Sequence, residues 1–204
     1  MRKTIHKFLP IDQFPVLTVG IDEAGRGPWA GPVTAAAVFM GDFILPGLND
    51  SKKLSEKERE HLYEILIKHV TYGVGECSAE EIDTIGIRKA THTAMKRALD
   101  NLNLIPEFLL IDGKDNFIFN YSAKYIIKGD SAYEAIAAAS VIAKVTRDRK
   151  MQEYAKLYPD YSFDLHKGYG TKKHQDALKK FHICDIHRKT YKPIKFIIDS
   201  SSKE

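Results

Sequence analysis

Residues 16 to 33 read VLTVGIDEAGRGPWAGPV and form the densest pattern in the chain. An apolar run, typical of a strand, leads into two adjacent carboxylates, Asp22 and Glu23. Since successive side chains of a strand point to opposite faces, the pair predicts a carboxylate on each side of a strand end. The Gly-Arg-Gly stretch at 25 to 27 predicts a turn whose backbone passes close to a ligand, because glycine tolerates positive φ and has no Cβ. Taken alone, the pattern also fits a plain hairpin whose second strand covers 33 to 40.

The chain has 204 residues, of which 44% are hydrophobic and 28% charged, as in an ordinary soluble domain. We expect a single domain over 1 to 204, with a catalytic core at about 14 to 195 and a polar tail at about 199 to 204. Lys and Arg number 31 against 27 Asp and Glu, a net charge of +4. This balance permits a polyanionic partner without requiring one.

The two cysteines, Cys77 and Cys184, lie far apart and form no CxxC pair. Neither a disulfide framework nor a zinc ribbon is indicated, and a reducing cytoplasm fits best. The first 14 residues carry positive charge but no apolar signal region, and no apolar run is long enough to cross a bilayer. We therefore expect a cytoplasmic protein with no membrane partner.

Apolar patterning and turn signals predict five strands, at 16–22, 33–40, 71–77, 108–111 and 125–127. Residues 43 to 48 either extend the second strand or form a short one of their own. Capping boxes and apolar stripes predict four helices, at 55–69, 78–101, 135–156 and 172–181. Residues 164 to 171 are expected to form a loop. Strands in the first half, with helices between and after them, indicate an α/β fold with a helical C-terminal portion.

Two further acids, Asp112 and Asp130, follow short apolar runs of the predicted strands. Ligands of α/β sheets collect at strand ends, so these acids are expected to converge with Asp22 and Glu23. Four carboxylates placed together repel one another, and such a cluster is typical of a divalent cation site. Ligands made only of oxygen favour Mg²⁺ or Mn²⁺ over zinc. For Asp112 or Asp130 taken singly, a turn or a helix cap is the simpler explanation.

The chain resembles ribonuclease HII, the type 2 ribonuclease H that cuts RNA in RNA/DNA duplexes. Blocks of that family occur here in the family's order: DEAGRGPWAGP, NDSKKL, LIDG, KGD, IAAASVIAKVTRD, HKGYGT and a final HR. The resemblance implies a ribonuclease H-like fold with a mixed central sheet flanked by helices. It also implies an endonuclease that uses two Mg²⁺ or Mn²⁺ ions and leaves 5′-phosphate and 3′-hydroxyl ends. Its substrates would be RNA/DNA hybrids and DNA duplexes containing ribonucleotides, cut 5′ of the ribonucleotide.

The resemblance also carries roles over to single residues. It assigns the four metal-binding acids to Asp22, Glu23, Asp112 and Asp130. It assigns the element whose backbone senses the 2′-hydroxyl to Gly25, Arg26 and Gly27. It places three residues near the substrate phosphates: Lys53, Ser140 and Lys144. Tyr169 matches the tyrosine that stacks on the deoxyribose after the ribonucleotide.

Each of these assignments has a plainer alternative. Exposed lysines are usually solvated, and Ser140 also suits helix packing. Tyr169 also suits a loop aromatic that covers a core edge, and Arg26 also suits neutralisation of the acids. His187 and Arg188 either contact nucleic acid or cap the preceding segment. Trp29 departs from the smaller aliphatic residue usual in the family, so it alters the approach of the backbone to the sugar or simply packs.

Two other signals are weak. The segment 182 to 187, HICDIH, has one cysteine and spacing unsuited to zinc. The segment 175 to 181, QDALKKF, superficially resembles a sliding-clamp peptide but falls inside a predicted helix, so clamp binding is not expected. A monomer is the default expectation.

Three functional alternatives stay open on the sequence. A ribonuclease HIII-like enzyme would have a GKG-type element and usually an additional N-terminal domain. A non-catalytic RNA/DNA-binding module would keep the fold without the chemistry. Another two-metal nuclease with the same fold, such as a junction resolvase, would differ in substrate.

Overall fold

A computed structural model describes residues 7 to 201 and shows one five-stranded sheet with the order β3-β2-β1-β4-β5. The strands are β1 Thr18–Ala24, β2 Val33–Phe39, β3 Thr71–Cys77, β4 Phe108–Asp112 and β5 Ser122–Ile126. Strand β1 pairs antiparallel with β2 and parallel with β4, so the sheet is mixed. The strand that carries the adjacent acids therefore lies at the centre of the sheet.

Seven α-helices surround the sheet in the described part of the chain. They are α1 Glu56–His69, α2 Ala79–Ile85, α3 Ile87–Asp100, α4 Glu134–Leu157, α5 Phe163–His166, α6 Lys172–Phe181 and α7 Lys192–Ser201. The predicted capping boxes at Ser55 and Ser78 are both present, each with reciprocal hydrogen bonds to the glutamate three residues later.

The sheet is covered on both faces. Helix α3 packs its alanine side against β1, β2 and β3, and α4 covers the opposite face together with α1. A Cβ on Gly20 would overlap the backbone of Ala135, and a Cβ on Gly75 would overlap that of Ala94. Backbone therefore meets backbone where α4 crosses β1 and where α3 crosses β3. A third apolar cluster joins α6 and α7 to residues around Met151 and Phe163.

Several predicted boundaries are wrong. Residues 43 to 48 form turns and extended loop rather than a strand. The helix predicted over 78 to 101 is two helices, because Gly86 adopts a φ of +78° between them. The predicted loop at 164 to 171 begins inside α5.

The C-terminal end also differs from expectation. Helix α7 extends through Ser201, so the polar tail predicted from about 199 starts inside a helix, and residues 202 to 204 lie outside the described part. Ile194 of this helix is fully buried in the third apolar cluster. Among the helices that are described, none combines the length and the apolar character needed to span a bilayer.

Candidate active site

The four predicted acids lie at one end of the central strands. Ile21 of β1 pairs with Ile111 of the parallel strand β4. Asp22 and Asp112 are the next residues along these two strands, so they lie at the same end of the ladder. Asp130 lies in a 3-10 helix, and the amide of Gly129 in that helix donates to Asp112 Oδ1 at 2.6 Å. The structure thus brings Asp112 next to both the β1 acids and the segment of Asp130.

Burial and mutual repulsion act on these acids. Burial raises the pKa of Asp22 well above its usual range, and the charges of Glu23 and Asp112 raise it further. Burial and the charge of Asp112 raise the pKa of Glu23, against the opposing effect of Arg26. The pKa of Asp130 rises to about 6 through burial and the charges of Asp50 and Asp112. The negative charge of Asp112 therefore raises the pKa of each of the other three acids.

The donor set suits a hard divalent cation, since it offers carboxylate oxygens in a site where negative charge is costly. Each acid also has local partners. Asp22 Oδ1 accepts from the amide of Glu23 at 2.7 Å, and Ser140 hydrogen bonds to the Asp22 side chain. Nowhere in residues 7 to 201 do three His, Cys, Asp or Glu side chains stand in a ready-made metal-binding arrangement. The chemistry fits the cation, while the side-chain positions are set by protein hydrogen bonds.

The loop before α1 borders the same site. Ser51 Oγ and Ser140 Oγ lie 2.8 Å apart in the core, which fixes the 3-10 helix Ser51–Lys53 beside α4. Lys53 Nζ donates to Ser131 Oγ at 3.4 Å, while Lys52 Nζ lies 3.9 Å from Asp130 Oδ2. Lys52, which the sequence did not single out, is thus the lysine that faces an acid of the site.

The Gly25–Gly27 turn follows β1 directly. Gly25 has a φ of +97°, and a Cβ there would overlap the side chain of Arg147. The side chain of Arg26 binds Asp115 Oδ2 at 2.6 Å and lies 3.5 Å from Glu23 Oε1. Arg26 is therefore paired with carboxylates next to the acidic cluster, as its alternative explanation anticipated.

Tyr169 lies against this turn. A Cβ on Gly27 would stand 3.8 Å from Tyr169 Cε1, and Tyr169 is 43% exposed. Lys144 Nζ lies 6.0 Å from the ring centre and binds Asp148 Oδ1 at 2.7 Å. Burial lowers the pKa of Lys144, against the opposing effect of Asp148. The exposed aromatic face and the glycine turn thus form one continuous surface.

Trp29 connects the turn to the Tyr169 loop. Its amide donates to Gly168 O at 2.8 Å, and a Cβ on Gly170 would overlap its indole ring. Its carbonyl accepts from the amide of Arg188 at 2.8 Å. Trp29 is therefore a packing residue that ties three loops together.

Two fully buried arginines, Arg147 and Arg188, hold these loops through hydrogen bonds to backbone carbonyls. Arg147 donates to the carbonyls of Ala30, Pro32 and Lys167 at 2.9 to 3.1 Å. Arg188 donates to the carbonyls of Gly25, Arg26, Gly31 and Pro32 at 2.6 to 3.1 Å. Burial lowers the pKa of both groups, and for Arg147 the neighbouring charge of Arg188 adds to the effect, giving a pKa of about 10. Arginine is rarely buried, so composition and periodicity point away from such a role.

A buried histidine cluster lies behind the Tyr169 loop. His174 Nδ1 lies 3.0 Å from Tyr169 O, and the Nε2 atoms of His174 and His187 are 3.0 Å apart. His166 stacks on His174 with ring centres 4.5 Å apart. Burial lowers the pKa of both His174 and His187 to about 4. His187, left open on the sequence, thus belongs to the core beneath the loop.

The family model described as ribonuclease HII matches residues 19 to 194. The chain belongs to the ribonuclease HII family. A ribonuclease HII from Endomicrobium trichonymphae is 51% identical over 191 residues, covering 92% of this chain and 90% of that protein. One from Coxiella burnetii is 48% identical over 182 residues, covering 88% of this chain and 90% of that protein.

Solved structures agree with the ribonuclease HII assignment. The ribonuclease H2 of Pyrococcus horikoshii superposes with a TM-score of 0.77 at 25% identity, covering 92% of this chain and 99% of that one. A ribonuclease HIII, Bst-RNase HIII, solved with Mn²⁺, superposes with a TM-score of 0.69 at 17% identity, covering 95% and 73%, and shows the fold alone.

Membership of the ribonuclease HII family decides the broad function. The chain has the ribonuclease H-like fold and is a metal-dependent endonuclease with ribonuclease H activity on RNA/DNA hybrids. The predicted fold class and family are confirmed. The family assignment argues against the ribonuclease HIII, resolvase and non-catalytic alternatives.

Proposed function

We propose that the chain cuts duplex DNA on the 5′ side of an embedded ribonucleotide, leaving 5′-phosphate and 3′-hydroxyl ends. The observation that carries this proposal is the closeness of Gly27 to Tyr169, whose ring a Cβ built on Gly27 would approach to 3.8 Å. The turn begins two residues after the last acid of β1, so a nucleotide on this surface would have its neighbouring phosphate near the acids. A backbone reader beside an aromatic platform suits recognition of the 2′-hydroxyl at an RNA-to-DNA junction.

Four carboxylates are proposed to hold two divalent ions, Mg²⁺ or Mn²⁺: Asp22, Glu23, Asp112 and Asp130. Asp22 and Asp112 are the first candidates for direct ligands, since each directly follows the last pair, Ile21 and Ile111, of the parallel β1–β4 ladder. Glu23 and Asp130 complete the site. When bound, such ions activate water and stabilise the leaving oxygen. Support comes from the oxygen-only donor set and from the position of Asp112 among the other three.

Three residues are proposed to bind the substrate backbone around the acids. Ser140 hydrogen bonds to Asp22, so its hydroxyl holds that carboxylate in place. Lys144 lies near Tyr169, and Lys53 lies near Ser131. Because Lys144 is paired with Asp148, its first role is to fix the surface beneath Tyr169, and a phosphate contact requires partial release from that pair.

The partners we propose are RNA/DNA hybrids and ribonucleotide-containing DNA duplexes, acted on by a monomer in the cytoplasm. The free thiols of Cys77 and Cys184 suit a reducing compartment. A solved complex contains PCNA with the RNase HII of Archaeoglobus fulgidus, 27% identical with a TM-score of 0.72, so clamp binding occurs in that protein. Here the segment 175 to 181 lies within α6, with Leu178 buried, and its helical form does not favour the same role.

The test is cleavage of a DNA duplex that contains one ribonucleotide, with Mg²⁺, with Mn²⁺ and with chelator, mapped to the nucleotide. We expect metal-dependent cutting on the 5′ side of the ribonucleotide. A uniform RNA/DNA hybrid of the same sequence serves as the positive control. Cutting of the hybrid alone would refute junction recognition and leave the metal site in place.

A further inference from the structure

The Gly25–Gly27 turn has an unusual pattern of hydrogen bonds on its carbonyls. Gly25 O accepts from Arg188 Nη2 at 2.6 Å. Arg26 O accepts from Arg188 Nη1 at 3.1 Å and from the hydroxyl of Tyr191 at 2.6 Å. Tyr191 in turn accepts from Arg188 Nη1 at 2.9 Å. The same guanidinium therefore reaches two successive peptide groups, directly and through a tyrosine.

The N–H groups of these two peptide groups are free to donate hydrogen bonds to a ligand. The carbonyls of Gly25 and Arg26 share their peptide groups with the amides of Arg26 and Gly27. Over residues 7 to 201, neither of these two amides donates a hydrogen bond to the protein. Gly27 lies close to the Tyr169 ring, since a Cβ built on it would stand 3.8 Å from Tyr169 Cε1, so these amides belong to the turn proposed to bind the ribonucleotide.

The charge behind the turn has no directly paired acid among the described residues. In the part of the chain that is described, no carboxylate lies within 4 Å of the guanidinium of Arg188 or of Arg147. Both guanidiniums are fully buried, where electrostatic effects are stronger than in water. A cation bound to a peptide carbonyl draws electron density toward the oxygen, which makes the attached amide a stronger donor. Linked hydrogen bonds strengthen one another by about 10–30% per bond, and charged donors roughly double the strength of a bond.

We propose that Arg188, with Tyr191 as its relay, is a positioning residue that strengthens the amides of Arg26 and Gly27 as donors to an oxygen of the bound nucleic acid. That oxygen is the ribose 2′-hydroxyl or the adjacent phosphate. The inference rests on the proposed recognition of an embedded ribonucleotide. Where that oxygen is the 2′-hydroxyl, discrimination between RNA and DNA depends on a charge buried behind the turn as well as on the turn itself.

The test compares KM and kcat for a duplex with one ribonucleotide against the inhibition constant of a sequence-matched all-DNA duplex, which lacks the 2′-hydroxyl. Tyr191→Phe is the principal variant, because it removes only the hydroxyl that donates to Arg26 O. Tyr161→Phe is the matched control, since its hydroxyl also donates to backbone carbonyls, those of Phe181 and His182. Arg188→Lys keeps the charge but loses the planar set of donors.

For Tyr191→Phe we expect KM for the ribonucleotide duplex to rise about twofold to threefold with kcat unchanged, because the amide hydrogen bonds to the substrate are weakened and not removed. The inhibition constant of the all-DNA duplex stays unchanged if the amides bind the hydroxyl, and rises in parallel if they bind the phosphate. Arg188→Lys raises KM for the ribonucleotide duplex further than Tyr191→Phe does. Tyr161→Phe leaves both unchanged.

Unchanged KM in Tyr191→Phe would overturn the proposal, whether or not Arg188→Lys folds. A fall in kcat alone would also overturn it, because a distorted acidic site rather than weakened donors would then be responsible. If the wild-type enzyme itself binds the two duplexes equally, the proposed recognition of ribonucleotides fails, and this inference fails with it.

Discussion

Asp112 Oδ1 accepts a 2.6 Å hydrogen bond from the amide of Gly129, which ties the end of β4 to the 3-10 helix that carries Asp130. An asparagine at 112 keeps an oxygen acceptor for this amide but removes the negative charge. For Asp112→Asn we therefore expect cleavage to fall by more than about 100-fold, since loss of groups outside the metal ligands already costs 10- to 100-fold. The unfolding temperature stays equal or rises, because repulsion with Asp22 is relieved. Asp42→Asn, at an exposed position, is the control, and near-normal cleavage by Asp112→Asn would contradict the assignment.

The two glycines of the turn respond differently to alanine. Gly27→Ala fits sterically, since its Cβ would meet Tyr169 only at 3.8 Å, but the methyl group occupies the surface proposed for the sugar. We expect unchanged stability in urea and about a tenfold loss of kcat/KM, or about 1.4 kcal/mol, on the single-ribonucleotide duplex. Gly25→Ala, with its φ of +97° and an overlap with Arg147, destabilises the fold by about 1–3 kcal/mol. Equal effects of both variants on stability would contradict this distinction.

Tyr169 offers a partly exposed ring beside Gly27. Tyr169→Ala is expected to raise KM for the ribonucleotide duplex about fivefold or more, since aromatic stacking on nucleic acid contributes about 1–3 kcal/mol. Tyr169→Phe keeps the stacking face and should bind within about twofold of wild type. Steady-state kinetics on the two variants separate a stacking role from a role of the hydroxyl, and a larger effect in Tyr169→Phe would exclude stacking.

The buried pair His174 and His187 predicts loss of stability in acid. Both have a pKa lowered to about 4 in the fold, so the unfolded chain binds more protons between about pH 6.5 and pH 4. Stability from this source is complete above pH 6.5 and falls as the pH decreases. The loss from pH 8 to pH 5 is about 2 kcal/mol for each histidine.

This prediction is checked by urea unfolding across that pH range. The raised pKa of Asp130 contributes with the opposite sign, because the folded state then binds the extra proton. The informative quantity is therefore the difference between the wild type and His187→Gln, whose pH dependence is expected to be shallower. His61→Gln, on the exposed side of α1, serves as the control. Parallel curves for the wild type and His187→Gln would refute the role of the pair.

Local signals in the sequence predicted most of the secondary structure. The helix starts at Ser55 and Ser78 follow from capping boxes that act within four residues. The break at Gly86 was missed, because a single glycine is tolerated inside many helices and only the turn geometry decides. Helix α7 was missed because the position of Ile194 in the third apolar cluster depends on segments distant in the chain.

Some residues of the candidate site also follow from local sequence patterns, whereas the roles of others depend on the folded chain. Strand ends place Asp22 and Asp112 together, and this placement follows from the α/β pattern. The contributions of Arg147 and Arg188 depend on carbonyls that only the folded chain brings together, so no local pattern reveals them. The pairing of Lys144 with Asp148 has the i, i+4 spacing of a helix, so the sequence contains enough local information to predict it.

The close crossing of α4 over β1 at Gly20 restricts how this enzyme tolerates change. Because no side chain separates the helix from the strand, every added methyl group at that crossing has to move one against the other. Such a movement displaces Ser140, on the helix, from Asp22, on the strand. Substitutions that enlarge residue 20 are thus expected to lower activity even where the protein remains folded.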